Sequence, residues 1–377
     1  MKKLNILMIP TWYSGYNEKV LSAGVFHYEQ AIELKKFCNV ALYYPFDEDL
    51  SYGFIKSNEN DLLTFRSKPK GNKITKYLKW IKDFREVNKC FKPDILHAHV
   101  GSAAGFLAII FGKIYKIPVV ITEHNPLELM NLKNSRYYKR NLYVYRNSDA
   151  NICVSDDLKM KLEHYYKGIK FSTIFNGVIS PNVISNQSKY AYKEFINCGI
   201  AASFYDKEIK GLQYLLPAIK KIRDNNKCNI MLHICGGGKY LEYYKSFAKQ
   251  IGIENNCKFY DQCNKNEVYL IISEMDFCIS SSIFESAGIF VQESMLLGKP
   301  LVVTNSGGAN SLVTESTAII VEKESVEALV EGIEEIIDKL PFFDSCSIID
   351  YAKNRFGMNK ILKEYMDLYK SILEKDK

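Results

Sequence analysis

The strongest constraint on the fold is an alternation of short apolar segments with amphipathic stretches, which continues through almost the whole chain. Residues 5–9, 39–44 and 94–97 form apolar runs without polar alternation, and stretches such as 73–91 place apolar residues at helical spacing. Apolar runs of this kind are typical of parallel strands that helices cover on both faces. The sequence therefore predicts an α/β fold built on parallel sheets.

The alternation stops once, in the polar segment 182–192, and then restarts with the run 194–198. We therefore place a first domain at 1–181, a linker at 182–192 and a second domain at 193–350. Residues 351–377 carry apolar side chains at helical spacing and are predicted to form a terminal helix. Two doubly wound sheets that face each other would form a cleft, with ligands at the carboxyl ends of the strands.

Composition excludes several classes of protein. Of the 377 residues 47% are hydrophobic and 25% are charged, which is ordinary for a soluble globular protein. A net charge of +7 falls short of a dedicated nucleic-acid binder but suits an anionic substrate or membrane surface. The ten cysteines form no Cys-x-x-Cys pair, so we expect reduced thiols. The apolar segment before Pro10 is too short for the core of a signal peptide. We therefore expect a cytoplasmic protein that is peripheral on the membrane.

The segment 73–91 is the strongest amphipathic helix in the sequence. Its predicted apolar face consists of Ile74, Tyr77, Leu78, Ile81 and Phe84. The opposite face carries a basic stripe, made of Lys73, Lys76, Lys79, Lys82 and Arg85. An ordinary solvated helix face explains this stripe. Docking on anionic lipid, with Trp80 and Tyr77 near the interface, is the alternative interpretation.

The motif with the most chemical content lies between Ser282 and Gly308. It reads Ser282-Ile-Phe-Glu285, then Gly288, then Glu293, followed by Gly-Lys-Pro, an apolar run and Gly-Gly. Gly288 precedes a predicted helix, and a helix N-terminus presents free N–H groups to anions. The two carboxylates could then contact a sugar and a ribose, with phosphates between them. The bare spacing would fit two surface glutamates equally well.

Taken together, these segments resemble the retaining glycosyltransferases of family 4, which have the GT-B fold. The resemblance covers nearly the whole chain, and its strength lies in the order and spacing of weak motifs. Besides the segment 282–308, the matching motifs are Gly-x-Phe…Gln at 24–30, Asp-x-x-His-x-His at 94–99, Thr-x-His at 122–124, Asn-Gly-Val at 176–178 and Lys-Gly at 210–211. The resemblance implies that 351–377 returns to pack on the first domain. It also implies that the first domain binds the acceptor and the second binds the nucleotide-sugar.

The resemblance also implies roles for single residues. Glu285 would hold hydroxyls of the donor sugar, Glu293 the nucleotide ribose, and Lys210 the diphosphate leaving group. His124 would face the transferred sugar. The other implied donor-site positions are Gly24 near the phosphates, Ser282, the backbone amides of Gly288 and Ile289, and Gly236, Gly237 and Gly238 near the nucleoside.

The sequence departs from the family at one charged position. The family often has an Arg shortly before the Lys, whereas here Gly199 is followed by Ile-Ala-Ala-Ser-Phe and the next arginine is Arg223. Lys207 is our candidate for the second positive charge. Loss of that charge would slow departure of the diphosphate, since electrostatic stabilisation carries much of such catalysis.

No metal or other cofactor is expected, because in the family a lysine and helix amides stabilise the leaving group. Asp47-Glu48-Asp49 formally matches the Asp-x-Asp motif that holds Mn²⁺ in the other large glycosyltransferase fold. It follows the second predicted strand without a donor motif nearby, so we interpret it as a solvated loop. His27, His97 and His99 are further candidates for substrate contact or for buried structural histidines.

We expect an enzyme that transfers a hexose or N-acetylhexosamine from a nucleotide-sugar to a glycan or lipid-linked glycan, with retention. UDP is favoured over GDP, and the expected pathway is bacterial surface polysaccharide synthesis. A nucleotide-sugar epimerase and a non-catalytic partner subunit, both of the GT-B fold, remain alternatives. No nucleic-acid partner is expected. The motifs do not specify the sugar, the acceptor or the oligomeric state.

Overall fold

The computed structural model describes residues 3–13, 25–47, 50–51, 53–125, 135–180, 195–225, 228–261 and 263–375. The chain divides into two compact units. The first comprises Met1–Asn17, Ser22–Gly177 and Ile361–Lys377, and the second Glu18–Leu21 and Val178–Lys360. In the described part of the chain, no helix combines the length and the apolar character needed to cross a bilayer.

These boundaries differ from the predicted ones at both ends of the second unit. The first unit ends at Gly177 rather than at 181, and it resumes at Ile361 rather than at 351. The terminal segment forms two helices, Ser345–Phe356 and Met358–Lys375, that meet at Gly357. The first of these belongs to the second unit, so the prediction of a single helix from 351 was wrong. The predicted linker 182–192 lies outside the described residues.

The described part of the first unit holds an eight-stranded sheet. In chain order its strands are β1 (Asn5–Pro10), β2 (Asn39–Tyr44), β3 (Gly53–Glu59), β4 (Leu62–Lys68), β5 (Ile95–His99), β6 (Val119–Glu123), β7 (Ala150–Cys153) and β8 (Ser172–Thr173). Their order in the sheet is β3-β4-β2-β1-β5-β6-β7-β8. All pairs are parallel except β3 with β4, which form an antiparallel hairpin at the edge. The hairpin was not predicted.

The helices of the first unit follow the strands as the alternation predicted. They are α1 (Val25–Leu34), α2 (Lys73–Phe91), α3 (Ala103–Tyr115), α4 (Ser135–Asn147), α5 (Asp156–Tyr165) and the terminal α12 (Met358–Lys375). The strands β1, β2, β5 and β6 are almost entirely buried, as expected of a parallel sheet between helical layers.

The second unit repeats this architecture with a six-stranded parallel sheet in the described residues. Its strands are β9 (Ile196–Ala201), β10 (Ile230–Cys235), β11 (Cys257–Tyr260), β12 (Phe277–Ser280), β13 (Leu301–Thr304) and β14 (Ala318–Val321), in the order β11-β10-β9-β12-β13-β14. Its helices are α6 (Leu212–Asp224), α7 (Leu241–Gln250), α8 (Lys265–Ser273), α9 (Ile289–Leu296), α10 (Val326–Lys339) and α11 (Ser345–Phe356). The strand order reverses between β9 and β12, which is where doubly wound sheets bind ligands.

Helix α2 departs from its predicted burial. Of the predicted apolar face, Phe84 is buried, but Ile74 is 72% exposed and Leu78 is 63% exposed. The second half of α2 packs on the unit through Phe84 and Val87, whereas the first half presents its aliphatic side chains to the surface. The predicted apolar face is therefore only partly buried.

Candidate active site

Lys210 and Glu285 meet at the carboxyl ends of two neighbouring strands of the second unit. The loop after β9 leads to Lys210, and the loop after β12 leads to Glu285. The Lys210 ammonium lies 2.9 Å from a Glu285 carboxylate oxygen. Both side chains are partly exposed, at 25% and 20%. The pair therefore places one positive and one negative group, in contact, at the edge where this sheet type binds ligands.

Backbone contacts fix the position of Lys210. The Ser281 hydroxyl donates to the Lys210 carbonyl at 2.8 Å, and the Ile283 N–H donates to the Ile209 carbonyl at 2.8 Å. Gly211 adopts a left-handed conformation with φ of +69° and begins α6. A Cβ at Gly211 would lie 1.8 Å from the Ser281 carbonyl oxygen. The two loops therefore approach so closely that only glycine fits at this point.

Glu285 is held by the Gly-rich loop that follows β13. Its N–H donates to the Ser306 carbonyl at 3.0 Å, and its carbonyl accepts from the Gly308 N–H at 2.7 Å. Gly288 then adopts φ of +63° as the N-terminal cap residue of α9. Among the described residues, no side chain caps the first N–H groups of α9, which include that of Ile289. This arrangement can receive an anionic or hydroxyl ligand.

Glu293 lies on α9 and is oriented by two residues of α8. The Tyr269 hydroxyl donates to Glu293 Oε1 at 2.9 Å, and the Lys265 ammonium lies 3.3 Å from the same oxygen. The Glu293 side chain remains 15% exposed. It is therefore a fixed hydrogen-bond acceptor.

Two further loops contribute the other predicted donor-site residues. The Phe204 N–H donates to the Gly237 carbonyl at 2.9 Å, so the loop after β9 lies against the loop 236–238. The Lys207 ammonium lies over the ring of Tyr243, 4.4 Å from its centroid. Ser282 is buried, and its carbonyl accepts a hydrogen bond from the Thr304 hydroxyl at 2.5 Å. Gly24 lies outside the described residues.

The histidines named from sequence form a buried cluster in the first unit. His124 Nε2 and His99 Nδ1 share a hydrogen bond of 2.9 Å, and the ring of His27 lies 4.5 Å from that of His99 between centroids. Burial lowers the pKa of His124 to about 3 and holds the pKa values of His27 and His99 well below the usual range. These imidazoles are therefore neutral at physiological pH and can donate or accept single hydrogen bonds.

His97 has a structural environment. Its Nδ1 and the Tyr369 hydroxyl are 2.7 Å apart, and its Nε2 and the Thr122 hydroxyl are 2.7 Å apart. Both ring nitrogens are thus satisfied within the core, and Tyr369 comes from α12. His97 therefore joins the terminal helix to the sheet of the first unit.

Glu123 is a buried neighbour of the histidine cluster that the sequence analysis did not single out. Its buried carboxylate accepts hydrogen bonds from the N–H groups of Gly101, His124 and Asn125, each at 3.0 Å, and from the Tyr145 hydroxyl at 2.7 Å. Burial nevertheless raises the pKa of the Glu123 carboxyl. The carboxylate fixes the backbone that carries His124. A glutamate at the end of an apolar strand was the only sequence signal for it.

The cluster His27, His99 and His124 could in geometric terms hold a metal ion. One nitrogen from each ring lies within 4.8 Å of the others, and neutral imidazoles are ligands for Zn²⁺. Asp47, from the Asp-x-Asp match, is instead buried in an ion pair, with its carboxylate 2.6 Å from Arg66 Nε. The interpretation of Asp47 as part of a solvated loop was therefore wrong. Glu48 and Asp49 lie outside the described residues.

Acid should destabilise the first unit through its buried histidines. Because His97 and His124 have folded pKa values of about 3, against about 6.5 in an unfolded chain, the unfolded state binds protons first as pH falls. Above about pH 6.5 the two histidines are neutral in both states and do not lower the free energy of unfolding. Between about pH 6.5 and 3 each histidine lowers the free energy of unfolding by up to about 1.4 kcal/mol per pH unit. The raised pKa of Glu123 opposes this trend, since protonation relieves its burial.

Tryptophan fluorescence measures this effect selectively, because the only two tryptophans, Trp12 and Trp80, lie in the first unit. Urea unfolding at pH 7, 6 and 5 should give falling free energies of unfolding. A His97→Gln variant should show a shallower pH dependence. An unchanged free energy between pH 7 and pH 5 would contradict the low histidine pKa values.

The chain is similar to known glycosyltransferases in both of its units. The model of the family described as Glycosyltransferase Family 4 matches residues 23–179, and the model described as Glycosyl transferases group 1 matches residues 202–354. An uncharacterized glycosyltransferase of Methanocaldococcus jannaschii is 27% identical over 252 residues, which cover 65% of this chain and 66% of the relative. The alpha-monoglucosyldiacylglycerol synthase of Streptococcus pneumoniae is 24% identical over 252 residues, covering 61% of this chain and 56% of the relative. The match thus spans less than two thirds of either relative.

The same fold occurs among solved structures. Anabaena HepE in complex with UDP superposes with a TM-score of 0.74 at 18% identity, covering 98% of this chain and 100% of that one. The fold is thus GT-B, as predicted. Within that class, the two family models match different parts of the chain, and each describes glycosyltransferases.

Proposed function

We propose that this protein is a glycosyltransferase that transfers a sugar from a nucleotide-sugar with retention of the anomeric configuration. The observation that carries the proposal is the contact between Lys210 and Glu285 beside the N-terminus of α9. A cation, a carboxylate and a helix N-terminus without a side-chain cap suit a sugar diphosphate, because its hydroxyls donate hydrogen bonds and its phosphates accept them.

The donor is a UDP-sugar in this proposal, and its sugar is a hexose or N-acetylhexosamine. The UDP complex of the Anabaena protein with the same fold supports the choice of nucleotide. Glu293, fixed by Tyr269, accepts hydrogen bonds from the ribose hydroxyls. The backbone of 236–238 approaches the nucleoside. Lys207 supplies a second cation for the diphosphate.

In the transfer step, an acceptor hydroxyl oxygen forms the new bond to the anomeric carbon while the bond from that carbon to the diphosphate oxygen breaks. The hydroxyl proton goes to the departing diphosphate. Lys210 and the α9 amides stabilise the negative charge that develops there. Neutral His124 donates a hydrogen bond to the transferred sugar, and Glu123 keeps its backbone in place. We propose that no metal takes part.

The acceptor is a glycan or a lipid-linked glycan, and the pathway is synthesis of a bacterial surface polysaccharide. The pneumococcal relative supports the lipid part of this proposal, since its name specifies a diacylglycerol product. The first unit binds the acceptor, and the protein works in the cytoplasm, peripheral on the membrane.

Thermal stabilisation by a panel of UDP- and GDP-sugars, measured once with EDTA and once with added zinc, tests the donor site. We expect one UDP-sugar to raise the melting temperature, because a ligand that binds only the folded state stabilises it by mass action. Glu293→Ala should abolish the shift by removing the ribose acceptor. Glu274→Ala, which changes an exposed glutamate after α8, should keep it.

Each other outcome has a distinct meaning. Lack of any shift would contradict the proposal and favour a non-catalytic partner subunit. Nucleotide release without an acceptor would favour an epimerase. A shift that requires added zinc would overturn the metal-free mechanism and assign a metal to the histidine cluster.

A further inference from the structure

The first half of α2 presents large aliphatic side chains to the surface. Ile74 is 72% exposed and Leu78 is 63% exposed, and they lie one helical turn apart on the same face. Single exposed apolar residues are common, but a contiguous exposed group usually marks a contact surface. Ile74 stands three residues before Tyr77 on the same helix, so the pair adjoins the aromatic rings of α2.

A row of aromatic rings continues from α2 across two further helices. The rings of Trp80 and Tyr77 lie 5.5 Å apart between centroids, those of Tyr77 and Phe106 6.0 Å apart, and those of Phe106 and Tyr143 6.0 Å apart. Phe106 belongs to α3 and Tyr143 to α4, and Tyr143 is 41% exposed. Aromatic residues with a polar tip are enriched where an apolar phase meets water.

Lysines and arginines dominate the charges around this row, and the first carboxylate of α2 is Asp83, three residues after Trp80. Residues 70–82 contain five lysines and no carboxylate, and α4 contains Arg136, Lys139, Arg140 and Arg146 and no carboxylate. Lys113 of α3 donates to the Tyr143 hydroxyl at 3.0 Å. We call the start of α2 together with Phe106 and Tyr143 the aromatic–lysine face. Its charge is complementary to an anionic surface.

We propose that the aromatic–lysine face docks the first unit on an anionic phospholipid bilayer. Ile74 and Leu78 insert among the acyl chains near the headgroups, and the lysines contact the lipid phosphates. A soluble polyanion would use the lysines but not the aliphatic pair. The inference rests on the proposed function, in that a lipid-linked acceptor makes this docking useful.

Sedimentation of the full chain with vesicles tests the proposal. We expect binding to vesicles of phosphatidylcholine with phosphatidylglycerol, weaker binding to phosphatidylcholine alone, and weakening by salt. An Ile74→Ser, Leu78→Ser double variant should lower the partition coefficient at least about tenfold, since most of the apolar contact is removed. Each of Lys73→Gln and Lys76→Gln should lower it by about fivefold.

Met160→Ser is the matched control. Met160 is 64% exposed on α5 of the same unit and stands between two lysines, but α5 also carries Asp156, Asp157 and Glu163. This variant should bind vesicles like the parent chain. The proposal would be overturned if Met160→Ser and the double variant lost vesicle binding equally, or if the double variant bound vesicles like the parent chain. Equal binding of the parent chain to neutral and anionic vesicles would also overturn it. If the chain bound heparin as tightly as vesicles, and the double variant bound heparin equally well, the proposal would also be overturned.

The two proposals can fail separately. Stabilisation by the donor and turnover of a water-soluble acceptor should be unchanged in the double variant, because Ile74 and Leu78 belong to the first unit whereas Lys210, Glu285 and Glu293 belong to the second. Donor binding without vesicle binding would remove the membrane inference alone. Vesicle binding without any donor effect would remove the transferase alone.

Discussion

Replacing Lys210 by alanine should lower kcat by about 100- to 1,000-fold, as the loss of one electrostatic contact to a leaving group does in other enzymes. The ammonium is held 2.9 Å from the Glu285 carboxylate, and this ion pair fixes its position at the proposed diphosphate site. The measurement is the initial rate with the donor that stabilises the protein most. Lys210→Arg should recover part of the rate because it restores the charge.

Lys245→Ala is the control for Lys210→Ala. Lys245 is also ion-paired in the second unit, with Glu242 at 2.7 Å and Asp261 at 2.8 Å, but both partners lie outside the predicted donor site. Its loss should leave the rate unchanged. If Lys210→Ala keeps more than about a tenth of the rate and Lys207→Ala does not, Lys207 neutralises the leaving group and the role proposed for Lys210 is wrong.

Replacing Gly211 by alanine should destabilise the second unit by about 3 kcal/mol or more. The left-handed conformation strains any residue with a Cβ, and here that Cβ would also lie 1.8 Å from the Ser281 carbonyl oxygen. The loops that carry Lys210 and Glu285 must therefore separate. The rise in melting temperature that the donor causes should then disappear as well. Urea unfolding followed by circular dichroism measures the stability.

Gly252→Ala separates the two causes. Gly252 also has a positive φ, of +75°, but a Cβ there would meet no atom within 4 Å. Its replacement should cost only about 1–2 kcal/mol, which is the strain of the left-handed conformation. Equal losses for both variants would show that the close approach of the two loops contributes nothing.

The sequence predicted the sheet cores well because buried parallel strands carry a strong local signal. Strand β2 and helix α2 have the predicted bounds, since the first is an uninterrupted apolar run and the second an amphipathic one. The hairpin β3–β4 was missed because β3 is polar and lies at the sheet edge. Asn60 and Asp61, both at positive φ, were the available turn signal.

The site could be predicted only in part. The motif order indicated Lys210, Glu285 and Glu293 as candidates, and the structure brings the first two into contact. Glu123 could not be found, because its role depends on N–H groups from two loops that meet only in the folded sheet. The exposure of Ile74 could not be predicted from the sequence either. Apolar residues on one face of a helix have the same spacing whether or not a neighbouring element covers them.

The hydrogen bond between His97 and Tyr369 has a consequence for how the protein is made. The first unit needs Ile361–Lys377 to complete its core, whereas residues 178–360 of the second unit are contiguous. On the ribosome, domains usually fold in the order of synthesis. Here the stretch 178–360 leaves the ribosome before the first unit has its last helix. The first unit must therefore wait, with part of its interior open, until residues 361–377 have been synthesised.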